Sequence, residues 1–312
     1  MEAEALIAGR VLQYAGASVT FGTPLFFLYG TPGSMKPDRW PWQRNLLLVA
    51  AVCALVGACL WLLAEAASMR GDSADAISPG ALWMVASETR FGVACSVRIA
   101  LLLLAVGACL VVDRPKWLWR LQAGLGGAIT MSFAWTGHGA TAIAKSAGIH
   151  LAADLLHLLA AGIWVGALVP LAVLGFRASQ SKTGKSGQEL LVALKEFSRL
   201  GVWVVAVLVF TGIVNSIFLV DLVHWQQTLN SLYGRVLLVK LALFGGMLGF
   251  AALHRYKTTP RLESAMQGST LPAAPVTAAW PSLLTEALLA ALVLGAVSVL
   301  GTLAPPEVVL GD

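Results

Sequence analysis

Charge is what this chain most lacks. Asp, Glu, Lys and Arg make up 12% of its 312 residues, about half the share in soluble domains, too few to cover a globule of this size. The shortage excludes an ordinary soluble enzyme, and the 58% hydrophobic content excludes a disordered chain. Cysteine is scarce as well. Cys53, Cys59, Cys95 and Cys109 fall inside apolar runs and lack the spacing of a disulfide framework or a zinc knuckle. No nucleotide-binding motif is present. Gly184-Lys185-Ser186 echoes the end of a phosphate-binding loop, but the upstream glycine is missing and no strand precedes it. The net charge of +5 and pI near 9.2 do not point to nucleic acid, because in so apolar a chain the excess belongs in loops on one side of a membrane.

Long apolar runs are what the chain has, with a mean hydropathy of +0.78. A spanning helix needs roughly 20 mostly apolar residues. Eight stretches qualify: about 6–29, 45–66, 90–112, 118–136, 149–174, 200–223, 234–254 and 283–304. The expected fold is therefore all-α: a polytopic bundle of eight transmembrane helices in the lipid bilayer, forming one unit over 1–312. The span 118–136 is the poorest in apolar residues, but Trp117 and Trp119 mark one interface and Trp135 the other. A cleavable signal peptide is not expected, since the opening Met1-Glu2-Ala3-Glu4-Ala5 is acidic and the first apolar run is too long. The segment 175–199, with its Ser/Lys/Gly-rich stretch, reads as a flexible linker.

Eight spans place both termini on one side. Fourteen of the Lys and Arg residues lie in alternate connections: Lys36, Arg39, Arg44; Arg114, Lys116, Arg120; Arg177, Lys182, Lys185, Lys195, Arg199; Arg255, Lys257, Arg261. The opposite connections hold only Arg70, Arg90, Lys145 and Arg235. Positive residues mark cytoplasmic loops, so both termini are expected to be periplasmic.

Ionisable groups inside a bilayer are costly and mark function. They are densest in 137–170, GHGATAIAKSAGIHLAADLLHLLAAGIWVGALVP. His138 sits where the fourth expected span emerges, and His150, Asp154 and His157 open the fifth. Separations of four and seven residues put these three on one helical face, and His157 lies roughly 10 Å deeper than His150. Imidazoles and a carboxylate suit a borderline transition metal. Met131, seven residues before His138, would lie at the depth of His157 and add a soft thioether, and Cys95 in the third span is a further soft candidate. An upper nitrogen/oxygen level and a lower thioether level would suit the two oxidation states of copper. The alternative is an interhelical hydrogen-bond network that only fixes packing. His254 alone reads as a packing residue and the other cysteines as small core hydrophobes. Arg10, Lys240 and Glu286 lie within reach of span ends for snorkelling. Arg98 needs a partner, for which Glu65 and Asp154 are the candidates.

These residues meet a known pattern. Gly137-His138, HLAADLLHLLAAGIWVGALVPL at 150–171, FSRLGVWVVAVLVFTGIVNS at 197–216, LYGRVLLVKLALFGGMLGFAALHR at 232–255 and EALLAALVLGAVSVLGTLAPP at 286–306 together make the chain resemble the copper resistance protein D (CopD) family of bacterial inner-membrane proteins. The resemblance implies copper as the bound ion, with uptake across the inner membrane or delivery at it, and no enzymatic activity. It also implies a small periplasmic copper-binding partner of the CopC type as a separate protein, and His138, His150, Asp154 and His157 as metal residues. Two rivals remain at this point: a membrane b-type cytochrome holding haem through paired histidines, and a copper chaperone that transports nothing. With no nucleotide motif, movement would need a gradient, a partner or the membrane potential, worth about 2.3 kcal/mol per charge per 100 mV.

Overall fold

The computed structural model describes residues 2–30, 41–70, 78–136, 147–180, 184–219, 225–267 and 273–303. Among these, no strand occurs, and the helices in chain order are α1 (Glu2–Tyr29), α2 (Pro41–Arg70), α3 (Pro79–Glu88), α4 (Arg90–Val111), α5 (Pro115–Met131), α6 (Ala147–Gln180), α7 (Gly184–Leu219), α8 (Trp225–Asn230), α9 (Leu232–Leu253), α10 (Thr259–Gln267) and α11 (Ala273–Leu300). A 3-10 turn, Ser132–Trp135, prolongs α5, and a π-helical turn, His254–Thr258, joins α9 to α10.

Seven helices are long and apolar enough to cross a membrane: α1, α2, α4, α6, α7, α9 with its π turn and α10, and α11. The chain is thus a multi-pass membrane protein. The eighth expected span, 118–136, forms the 17-residue α5 and its 3-10 turn. It runs antiparallel to α1: Trp119 meets Phe27 at 5.2 Å between ring centroids, and Phe133 meets Tyr14 at 4.8 Å.

Helices α1 and α6 form the inner pair, each touching the other as well as α5 and α11. Small residues set how closely they approach. A Cβ on Gly166 of α6 would lie 2.6 Å from Gly22 Cα of α1, and one on Gly22 would meet the Gly162 carbonyl. Thr23 Oγ1 donates to Gly166 O at 2.5 Å across the same contact. Backbones that approach this closely gain dispersion contacts that lipid tails cannot replace.

Two expectations are corrected. Residues 175–180 and 184–199 of the expected flexible linker are helical: α6 continues to Gln180 and α7 already begins at Gly184. Leu190, Ala193, Leu194 and Phe197 recur at helical spacing and are buried against α6 residues such as Leu171 and Leu174, so this stretch has an apolar face to bury. Leu262 of α10 joins the same core, and Lys195 of α7 pairs with Glu263 of α10. The second correction concerns Arg98, whose partners are neutral. Its guanidinium donates to Gln13 Oε1 (3.0 Å), Ser132 Oγ (2.8 Å), Ser132 O (3.0 Å) and Thr136 Oγ1 (3.2 Å), and lies over the Phe133 ring at 4.1 Å. Oxygen acceptors and a ring face thus solvate a wholly buried cation without a carboxylate.

Candidate functional site

Helix α6 carries the site because its polar residues fall on the face turned toward α1, α7, α9 and α11. His150, Asp154 and His157 line one cavity of about 290 Å³, together with Tyr14 and Ser18 of α1, Thr130 of α5, Asn215 of α7 and Lys240 of α9. A second cavity of about 540 Å³ adjoins it, sharing His157, Gly212 and Lys240 and extending to Trp164, Phe244 and Met247. The three residues expected from spacing therefore line the same cavity.

His150 is buried and its ring stacks on Phe218 of α7, with centroids 4.8 Å apart and planes 18° apart. His157 Nδ1 lies 2.9 Å from Thr211 Oγ1. The single hydroxyl proton of Thr211 is already given to Val207 O at 2.6 Å, so Oγ1 can only accept. Nδ1 must then carry the imidazole proton, leaving Nε2 with its lone pair. That is how a metal-binding imidazole is commonly set: the bond made by one nitrogen fixes the tautomer of the other. Two oxygens of the cavity wall, Asn215 Oδ1 and Thr130 Oγ1, are buried without a hydrogen-bond partner. An unpaired buried acceptor costs about 1–3 kcal/mol, and a cation or its hydration water would satisfy both. The donor set, imidazole and carboxylate with neutral oxygens, fits a borderline cation.

The other expected residues lie elsewhere. Met131 is half-exposed and borders a separate groove with Arg90, Trp135 and Leu151. Cys95 is fully buried on α4, with Sγ 3.7 Å from Ala58 O of α2. His138 falls outside the described residues, as does His224. Among the described residues no group of three or more His, Cys, Asp or Glu is gathered closely enough to hold a metal ion.

Lys240, Glu286 and Arg10 depart from the expectation of snorkelling at span ends. Lys240 faces Asp154 and His157 within the cavity walls. Glu286 is fully buried, accepting from Trp164 Nε1 at 3.0 Å and lying 3.0 Å from His254 Nδ1. Arg10 is buried with its guanidinium over the Trp61 ring at 4.5 Å. Lys240 was legible as a charge inside an apolar run; Thr211 carried no signal, since a threonine in an apolar helix is unremarkable until its neighbour is known. Haem ligation would need two facing histidines at similar depth. His150 and His157 share one helix and His254 is engaged with Glu286 and Ser282, so no such pair exists among the described residues.

Fold and site together define a polytopic α-helical membrane protein with a polar, histidine-lined cavity inside its bundle. Residues 1–149 match the family model for the copper resistance protein D-like N-terminal domain, and residues 191–300 match that for copper resistance protein D. The chain is 34% identical over 311 residues to copper resistance protein D of Pseudomonas syringae pv. tomato, covering 98% of each. It is 28% identical to copper transport protein CutJ of Bacillus subtilis, over 79% of this chain and 45% of that one. It is also 28% identical to inner membrane protein YebZ of Escherichia coli, over 82% and 85%. No solved structure matches. The chain belongs to the copper resistance protein D family.

Proposed function

We propose that this protein binds copper from the periplasm in the α6 cavity and moves it into or across the bacterial inner membrane, without acting as an enzyme. One observation carries the reading: His157, held by Thr211 with Nε2 left as a lone pair, shares a cavity with His150 and Asp154. His138, at the connection leading into α6, is the fourth proposed ligand. A separate CopC-like periplasmic protein is the proposed donor. The names of the relatives, copper resistance and copper transport, support copper as the ion, and the name inner membrane protein supports the location.

The proposed topology has eight crossings in a single unit, with both termini periplasmic. Seventeen residues of α5 at about 1.5 Å each and four of the 3-10 turn at about 2 Å each give roughly 33 Å, enough for a hydrocarbon core of about 30 Å. The Lys and Arg asymmetry supports the orientation. The decisive experiment is copper uptake into proteoliposomes containing the purified protein. Uptake above that of empty vesicles, lost in His157→Ala, is expected. Binding without uptake would make the protein a periplasmic-face chaperone instead.

A further inference from the structure

A second group of ionisable side chains lies deeper, between α6, α9 and α11. Glu286 is fully buried and His254 nearly so, with His254 Nδ1 3.0 Å from Glu286 Oε2. The other carboxyl oxygen accepts from Trp164 Nε1 at 3.0 Å. His254 Nε2 lies 2.9 Å from Ser282 Oγ, whose own proton goes to Ala279 O at 2.9 Å. Ser282 therefore accepts, and Nε2 carries a proton. What remains between Nδ1 and Oε2 is room for one further proton, on the imidazole as an imidazolium–carboxylate pair or on the acid facing a neutral ring. Both forms are neutral overall. Without that proton two buried atoms that can only accept, Nδ1 and Oε2, face each other with no other hydrogen-bond partner.

Trp164, the hydrogen-bond partner of Glu286, and His254 also border a partition. Trp164 lines the cavity that contains His157 and Lys240 and, on its other side, a cavity of about 220 Å³ lined by His254, Arg255 and Ser198. His254 begins the π-helical turn, an irregularity common at functional positions. The charged groups on the surrounding elements are otherwise committed or distant. Arg255 donates to Ser198 O, Lys195 pairs with Glu263, and Arg199 with Glu196. Arg177 of α6 lies over Trp42, and Lys240 of α9 is on the far side of Trp164.

We propose that His254 and Glu286 form a proton-carrying site and that copper movement is coupled to exchange of one proton there; this rests on the transport reading above. A cation arriving in the cavity above Trp164 raises the local positive potential and favours loss of the proton. The proton leaves by way of His254, which borders the lower cavity, the pair passes from neutral to one negative charge, and that charge offsets a single positive charge moving past. When the cation leaves, the pair takes a proton back from the cavity above Trp164, so that one proton crosses in the same direction as each cation.

The test uses the full chain in proteoliposomes, with Cu(I) uptake and internal pH followed together, beside Glu286→Gln and His254→Gln. Glutamine keeps the hydrogen bond of Glu286 with Trp164 through its amide oxygen and sets its amide nitrogen against Nδ1, but it cannot titrate. In the native protein a one-unit pH gradient is expected to change the copper gradient sustained by tenfold, the equivalent of about 1.4 kcal/mol per proton. Glu286→Gln should bind copper normally and lose this dependence. If native uptake ignores the pH gradient, or Glu286→Gln retains full dependence, the proposal is overturned. If no uptake occurs at all, the transport reading fails, and pH-difference infrared spectra decide the proton site separately. Carboxyl or imidazolium bands absent from Glu286→Gln support it, and identical spectra overturn it.

Discussion

Thr211 of α7 accepts a hydrogen bond from His157 of α6, with Nδ1 and Oγ1 2.9 Å apart. The contact crosses 54 residues of sequence and decides which ring nitrogen is available to a cation. Removing the acceptor should therefore weaken copper binding without unfolding the bundle. Thr211→Val, which keeps the shape, is expected to lower affinity about tenfold, at the lower end of the effect of outer-shell partners, whereas Thr211→Ser should retain it. Competition titration of purified protein against a copper chelator measures both. Equal affinity in Thr211→Val and the native protein would remove Thr211 as a positioning residue.

Copper content should depend on the cavity face of α6 and not on its lipid face. His150→Ala, Asp154→Ala and His157→Ala are each expected to purify with less copper, while Leu156→Ala, on an exposed position, should match the native protein. Full copper content in the triple variant would locate the site elsewhere.

The neutral cage around Arg98 predicts a stability effect. Gln13→Leu removes the acceptor at 3.0 Å from Nη1 and leaves a buried cation short of one partner. A hydrogen bond to a charged group is worth about 1.5–3 kcal/mol. Thermal unfolding in detergent should show the loss, and Glu65→Gln should show little of it. The opposite ranking would mean that a carboxylate stabilises Arg98 after all.

Close approach of α1 and α6 makes Gly166 intolerant of a methyl group. Gly166→Ala forces the helices apart, at about 1–3 kcal/mol by analogy with overpacked cores. Gly245→Ala meets nothing within 4 Å and should be neutral. Comparable melting temperatures for the two variants would contradict the packing.

Orientation is testable by labelling. A cysteine replacing Ser186 should react with a membrane-impermeant thiol reagent only from the cytoplasmic side, and one replacing Ala142 only from the periplasmic side. The reverse pattern would move the α6 cavity to the cytoplasmic face.

The sequence by itself determined the class and most of the helix positions, because apolar runs of membrane length admit few alternatives. It also placed His150, Asp154 and His157 on one face, since residues four and seven apart on a helix share one. It did not reveal that residues 175–180 and 184–199 are helical; a run of Ser, Lys and Gly looks like a linker until Leu190 and Leu194 are seen buried against α6. The partners of the buried charges belonged to the tertiary structure alone. Whether Arg98 meets Glu65 or Gln13, whether Glu286 reaches an interface or His254, and which nitrogen of His157 carries a proton all depend on how distant helices rotate about their axes. The small residues at Gly22, Gly162 and Gly166 set that rotation through close contact, and periodicity along one helix carries no information about the helix that faces it.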